Sequence, residues 1–459
     1  MQQRASIQRG LGAAAVSALA VTALAASPAL AAPVPGNTEV VAISPDGQAQ
    51  DGQTWHPQIT PDGRYVVFDS SARNLTATPE GGSSWDVFVK DLKTRKITKV
   101  STGLNGQPAN DDSLFPDITP DGRYVVFVSA ATNLVAGDDT SVRANEIFVK
   151  DLKTGRTTKV ISENLGDDGN FDSPTISADG NTIAFSSTHP DLVAGDTNGT
   201  SDVFVWKRST GKVTRVSVSS SGAQGSSSTN SPYRGSFAPA ISADGKSVVF
   251  RSGDDNLVRN DTNNLADIFV HTLDNHRTTR VSVGPNGEQI TGGQPIDGSA
   301  ADAPSISADG RVIAYEGYAI KGLTGQDTGE TFQVYVYDRR TGKTEAAART
   351  LIGTVAIANS AVAEISPDGQ FVVFQSGSNE LVAGDSGTEV DVFVRNLKNT
   401  KIVKASVGVD GALANGSSGT FGTTISAGGR TVVFDSSADN LVEGPANPNN
   451  DLYLHRFTK

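Results

Sequence analysis

The segment Ile59–Phe68, ITPDGRYVVF, returns letter for letter at Ile118–Phe127. The same ITPDG-type motif recurs at Ile176, Ile241, Ile306, Ile365 and Ile425, seven copies spaced by 58 to 65 residues. An aromatic follows each Ile by nine residues: Phe68, Phe127, Phe185, Phe250, Tyr315, Phe374 and Phe434. A second follows 19 to 21 residues later: Phe88, Phe148, Phe204, Phe269, Tyr335, Phe393 and Tyr453. A period of this length marks a repeat architecture in which one small unit is stacked on itself.

Each unit reads as four strands. P-x-I-S is a short first strand, and P-D-G or A-D-G is a tight turn, because Pro sets φ and Gly allows φ > 0. R-Y-V-V-F-V-S is the second strand, D-V-F-V-x-D-L the third and T-x-V-S-V the fourth, with T-G-K or T-G-R turning between the last two. The cores VVF and VFV are apolar at consecutive positions, which predicts strands covered on both faces. Seven four-stranded antiparallel units of this kind predict an all-β fold, a seven-bladed β-propeller. The seventh copy ends at DLYLHRFTK without a fourth strand. The segment 38–44, TEVVAIS, reads as that missing strand, so the N-terminal strand is expected to complete the last blade and close the ring.

Residues 1–31 differ from the rest. Arg4 and Arg9 precede an Ala/Leu/Val stretch from Leu11 to Ala26, and Ala29-Leu30-Ala31 forms an A-x-A cleavage site. These are the parts of a secretory signal peptide, which predicts export and a propeller spanning 32–459 with no membrane span after cleavage. The chain has no cysteine, so neither disulfides nor thiol chemistry is expected. A formal charge of -12 argues against nucleic acid as a partner. No Walker loop, G-x-S-x-G or C-x-x-C is present.

The units P-x-I-S-[PA]-D-G-[RK]-x-V-V-F and D-V-F-V-x-D-L-x-T-G resemble the WD40-like repeats of TolB-like propellers (the PD40 type), over essentially all of 38–459. The resemblance implies a β-propeller that serves protein binding. TolB itself carries an N-terminal α/β domain and six blades, and this chain has seven repeats and no room for that domain. The expected partner is an extracellular protein or a cell-envelope polymer, bound by a monomer without catalysis. A polysaccharide lyase or hydrolase working at the central channel is the alternative.

Chain direction alternates along a blade, so the two tight turns share one side of the disc. The second-to-third loops and the blade-to-blade connections share the other. The longest connections, 219–238 and 284–303, flank the fourth blade, and long loops on a rigid scaffold are where binding resides. Tyr233, Arg234 and Phe237 make the first of them more than a Ser/Gly spacer. His56 adjoins a first strand and so the channel, with Gln58, Asp117 and Glu364 in nearby register. A His among carboxylates could serve acid–base chemistry. His189, His271, His276 and His455 fall in different contexts and form no metal set. Asp196, Asn198 and Asp202 in the third unit, and Asp261, Asn263 and Asp267 in the fourth, carry acids six residues apart. Calcium bound by these oxygens is one reading. A turn in which Asp and Asn bond their own backbone is the other. The P-D-G aspartates are read as turn residues and the fourteen aromatics as core.

Overall fold

In the computed structural model the chain is described over residues 37–77, 85–137, 145–161, 170–226, 234–284, 286–289, 304–318, 323–324, 331–444 and 450–458. These residues form seven four-stranded antiparallel sheets. The first consists of β2 (Thr54–Ile59), β3 (Tyr65–Ser70), β4 (Asp86–Asp91) and β5 (Lys96–Lys99), in that spatial order. The first strands of the next five sheets are β6 (Ser113–Ile118), β10 (Phe171–Ile176), β14 (Ser236–Ile241), β18 (Ser305–Ile306) and β22 (Ser360–Ile365). The last sheet orders β1 (Asn37–Val40), β28 (Asp451–Arg456), β27 (Thr431–Ser436) and β26 (Ser418–Ile425). First strands abut in chain order, and β26 abuts β2, so the ring is closed. The seven-bladed propeller expected from the repeat is the fold.

Closure is made by β1, which pairs antiparallel with β28 from Asn37↔Arg456 to Val40↔Tyr453. The regular strand is shorter than the 38–44 read from the sequence. Val41 N–H still donates to Leu452 O at 2.7 Å, and then a small hairpin with the bridge Ile43↔Ala49 begins. The same bridge opens other connections, as at Thr102↔Pro108 and Val218↔Gln224. The N-terminal segment is therefore a fourth strand with its connection, displaced to the start of the chain. Lys90 of the first blade reaches across the seam, its Nζ donating to Val41 O at 2.7 Å. Burial pushes the Lys90 ammonium down to about 8.

The consecutive apolar residues have a direct cause. Val66 and Phe68 point to one side of the first blade, into a cluster with Val433, Leu452 and Leu454 of the last blade. Val67, between them, points to the other side, into a cluster with Val125 and Phe127 of the second. A strand packed between two blades has no wet face. The paired aromatics sit opposite one another on neighbouring strands. Phe68 and Phe88 stack at 5.9 Å, Phe250 and Phe269 at 6.0 Å, and Tyr315 and Tyr335 at 5.8 Å. All are fully buried, each worth about 1.5–3 kcal/mol of transfer plus about 0.5–1.5 kcal/mol for the pair.

The P-D-G turns fix the other side of the disc. Thr60 Oγ1 donates to Asp62 Oδ1 at 2.6 Å, and Gly63, at φ +71°, donates back to Thr60 O at 2.8 Å. Thr119–Asp121, Ser177–Asp179 and Ser366–Asp368 repeat the contact at 2.6 Å. These aspartates are turn residues, as read from the sequence.

A chain beginning at Ile43 should keep its blades but lose the seam. Several ladder hydrogen bonds at about 1 kcal/mol each and two buried side chains would go with it. The expected outcome is a Tm lower by roughly 10 °C or more, on the usual few degrees per kcal/mol. An unchanged Tm in differential scanning calorimetry would mean that β1 does not hold the ring.

Candidate functional site

The first strands line the channel and share one irregularity. Six of the seven carry a bulge in the described residues, for example between Trp55 and Gln58, Leu114 and Asp117, or Ala361 and Glu364. At the bulge a non-glycine residue adopts left-handed backbone: His56 (φ +47°), Phe115 (+52°), Ser173 (+50°), Ala238 (+49°) and Val362 (+51°). Such a conformation is costly for a branched or bulky residue and persists only where the surroundings hold it. The restraints are visible. Phe115 N–H donates to Asp69 Oδ2 at 3.0 Å, Val362 N–H donates to Glu316 Oε1, and Phe421 and Gly422 N–H donate to Asp435 Oδ1 at 2.9 and 3.0 Å. Asp69, Glu316 and Asp435 hold the same second-strand register. Burial pushes the Asp435 carboxyl up to about 7 against the pull of these amides.

Asp69 also orients His56. His56 Nδ1 lies 2.7 Å from Asp69 Oδ2, with the carboxylate fully buried and the imidazole partly open. Burial raises the Asp69 carboxyl, and His56 and the Phe115 amide draw it down. Asp172, in the third blade, interacts electrostatically with His56, and its carboxyl is also raised by desolvation. A buried acid holding one ring nitrogen leaves the other available at the mouth.

Beside this pair runs an aromatic cluster. Trp55 lies between Trp85, at 4.2 Å and 31°, and Phe421, at 4.9 Å and 20°. His56 packs against Phe115 at 4.4 Å. Phe421 is 44% exposed, and Trp55, Trp85 and Phe115 are half-buried. Two of the chain's three tryptophans are here. The cluster spans blades seven, one and two, on the loop side. Loop length points to this side of the disc near the fourth blade; the cluster lies on the same side, at the seam. Positions equivalent to Trp55 are Leu114, Asp172, Phe237 and Ala361, so the signal was a departure from the repeat at one register.

Deeper in the channel lie Gln58, Asp117 and Glu364, each partly open. They belong to a ring of inter-blade staples. Asp117 Oδ2 accepts from Ile176 N–H at 2.8 Å, and Ser305 Oγ accepts from Ile365 N–H at 2.8 Å. Thr424 Oγ1 donates to Glu364 Oε1 at 2.9 Å. Desolvation in the narrow channel pushes Asp117 up to about 6 and Glu364 up to about 8, the latter raised further by Asp117 and lowered by its bonds to Thr424 and Gln58. The structure does bring these three residues and His56 to one channel, at two depths.

The candidate calcium loops already contain a cation. Arg215 Nη1 lies 3.1 Å from both Asp196 Oδ1 and Asp202 Oδ2, and Arg280 Nη1 lies 3.0 and 3.2 Å from Asp261 Oδ1 and Asp267 Oδ2. Asn198 and Asn263 donate to Asp202 and Asp267 through Nδ2, at 3.0 and 3.2 Å, so both turn amide hydrogens, not oxygens, to the acid. Ser217 and Ser282 close the network on the other carboxylate oxygen. Between each pair of acids stands a guanidinium where the calcium reading placed a metal. The base follows the acid by 13 residues in both blades. The same spacing joins Asp86 to Lys99 and Asp391 to Lys404, at 2.7 and 2.5 Å. Where the acid is Gln333, the matching base is Ala346. Among the described residues no three His, Cys, Asp or Glu converge to hold a metal.

Of the long-loop residues, Tyr233 lies outside the described residues, as do most of 284–303. Arg234 is exposed. Phe237 sits within β14, not in the loop, 37% exposed at the register of Trp55. His271 and His455 bond Thr278 and Thr38 between strands, and burial lowers both to about 4.

No protein-family model matches the chain, and no curated protein matches it. Solved structures do. An oligogalacturonate lyase in complex with manganese is 13% identical over 93% of this chain and 97% of that one, at a TM-score of 0.51. An oligogalacturonate lyase from Vibrio parahaemolyticus is 14% identical over 94% and 99%, also at 0.51. TolB from Acinetobacter baumannii is 17% identical over 78% and 64%, at 0.40. At these identities the likeness concerns the fold alone. A TolB-like repeat, as read from the sequence, fits a propeller of this kind.

Two measurements test the electrostatics. Arg280→Met leaves Asp261 and Asp267 buried without their cation, and should cost about 3–5 kcal/mol in urea unfolding at pH 8. The Asp261 carboxyl, pushed up to about 7 mainly by burial, should regain part of that loss by protonation at pH 5. Equal losses at both pH values would show that Arg280 does not neutralise it. Glu364 is the second case. Its folded pKa lies above its unfolded value, so its protonated form favours the fold, and stability falls as pH rises through about 8. Glu364→Gln should therefore raise Tm at pH 8.5 and change little at pH 4. The opposite pattern would mean the carboxylate is favoured in the channel.

Proposed function

We propose that this protein is exported and works by binding, holding an extracellular protein or cell-envelope polymer at the channel mouth on the loop side. The observation that carries this reading is the half-buried stack of Phe421, Trp55 and Trp85, with Phe421 44% exposed and Phe115 joined to it through His56. Burial of large apolar rings beside a few fixed polar groups is the usual composition of a binding site. The signal-peptide pattern of residues 1–31 supports export, and no described helix is long and apolar enough to cross a membrane. The propeller fold is shared with binding and catalytic proteins alike, so the fold by itself favours neither.

The alternative, a carbohydrate-active enzyme at the channel, has its own support. His56, oriented by buried Asp69, stands at the mouth, and Glu364, with its raised proton affinity, stands below it. His56 is placed to take up a proton, and Glu364, whose carboxyl burial pushes up to about 8, to give one.

Retention of the chain from Ala32 onward on envelope fraction separates the two. Binding through the mouth predicts that Phe421→Ala and Trp85→Ala each weaken retention about tenfold, with Glu364→Gln unaffected. Polysaccharide breakdown that disappears in Glu364→Gln, with retention intact in the aromatic variants, would reverse the assignment.

A further inference from the structure

We infer that the aromatic cluster at the seam is a subsite for pyranose rings, and that its ligand is a glycan chain without negative charge. The inference rests on the binding reading above and names its ligand class.

Stability alone does not account for the cluster. Trp55 Nε1 is buried and has no hydrogen-bond partner among the described residues. An unsatisfied indole N–H is a cost that Phe would avoid. The chain places Phe at this register in β14 and uses Trp only where Phe421 and Trp85 flank it. Phe421 itself remains 44% exposed at the rim. The described cluster thus keeps aromatic surface in water on a wall made rigid by two blades. Flat rings of this kind fit the C–H faces of sugars, and the polar edges of a sugar then need acceptors and donors close by. Those groups are present. The exposed Asp172 carboxylate and the open side of His56 lie at the same mouth.

The charges choose among glycans. Asp172 is exposed at one bulge, Asp69, Glu316 and Asp435 stand buried in the register that restrains the others, and Arg234 is an exposed cation near β14. The whole chain carries -12. A polyuronate would meet repulsion at both ranges. A neutral chain would not, and can donate a hydroxyl to the exposed Asp172 carboxylate.

Tryptophan fluorescence reads the site directly. The probes are hydroxyethyl cellulose and glycol chitin as uncharged chains and polygalacturonate as the anionic one. The protein is the chain from Ala32, in a Trp206→Phe background that removes the buried indole of the third blade. An uncharged chain should shift the emission saturably. Phe421→Ala, whose ring is partly in solvent, should weaken this about tenfold with Tm unchanged, and Ile352→Ser, 87% exposed in a distant connection, should leave it intact. No shift with either uncharged chain overturns the inference, as does a shift with polygalacturonate alone. If envelope retention still depends on Phe421 and is abolished by protease treatment of the envelope, the ligand is a protein and only the glycan inference falls. If retention does not depend on Phe421 either, both readings fall.

Discussion

The pairing of β1 with β28 is the contact on which the rest depends. A stack of blades ends in two exposed sheet surfaces and two unpaired edges, and closure removes the liability. Here the seam joins the first and last described strands of the chain. Backbone pairing from Asn37 to Val40 is reinforced by Glu39 with Arg456 at 2.7 Å and by Lys90 on the carbonyls of Val40 and Val41. Closure also creates the candidate site. Trp55 and Trp85 come from the first blade and Phe421 from the last, so their stack exists only because the ring is shut. Gly422, beside Phe421, leaves no room for a side chain, since a Cβ there would stand 2.5 Å from Pro57 Cδ.

Much of the architecture was legible because each level of the sequence points the same way. Seven Ile-aromatic spacings fix strand length, consecutive valines fix burial on both faces, and P-D-G fixes one side of the disc. The missing fourth strand after Tyr453, set against the strand-like TEVV near the other end, is enough to close the ring. The fifth blade departs most from the others in sequence, with Gln333 and Ala346 in place of the acid and base, and its first strand is described at Ser305–Ile306.

The site was less legible, for two physical reasons. Loop length pointed to the fourth blade, but the exposed aromatics lie on first strands, where one register position decides what faces the mouth. Reading down that register, through Trp55, Leu114, Asp172, Phe237 and Ala361, picks out Trp55 at the seam together with Phe237 in the fourth blade. The acids at Asp196 and Asp202 were read without their base because Arg215 lies in the fourth strand, across a hairpin. Antiparallel pairing brings Phe204 opposite Arg215 and so returns the base to the start of the third strand. The 13-residue spacing, and the joint loss of acid and base at Gln333 and Ala346, were present in the sequence as a pattern of pairs, not of motifs.

The channel separates two kinds of polar group by depth. At the Ile level, Asp117, Ser305 and Thr424 spend their oxygens on the amide of the next blade, and the raised proton affinity of Asp117 and Glu364 follows from being held where water is scarce. At the mouth, Asp69 and Asp435 hold left-handed or bulged backbone in place, and that backbone sets where His56, Phe115 and Phe421 stand. Strain of this sort is stored where position matters more than stability. The deeper ring keeps the blades together whatever the ligand. The upper ring holds side chains that the fold could do without, since Ser173, Ala238 and Val362 occupy the same bulge in other blades with no ring to present. Trp55, Phe115 and Phe421 gather at or beside this register at the seam, and Phe237 takes the position of Trp55 in the fourth blade, so the upper ring presents aromatic side chains at two places on the rim.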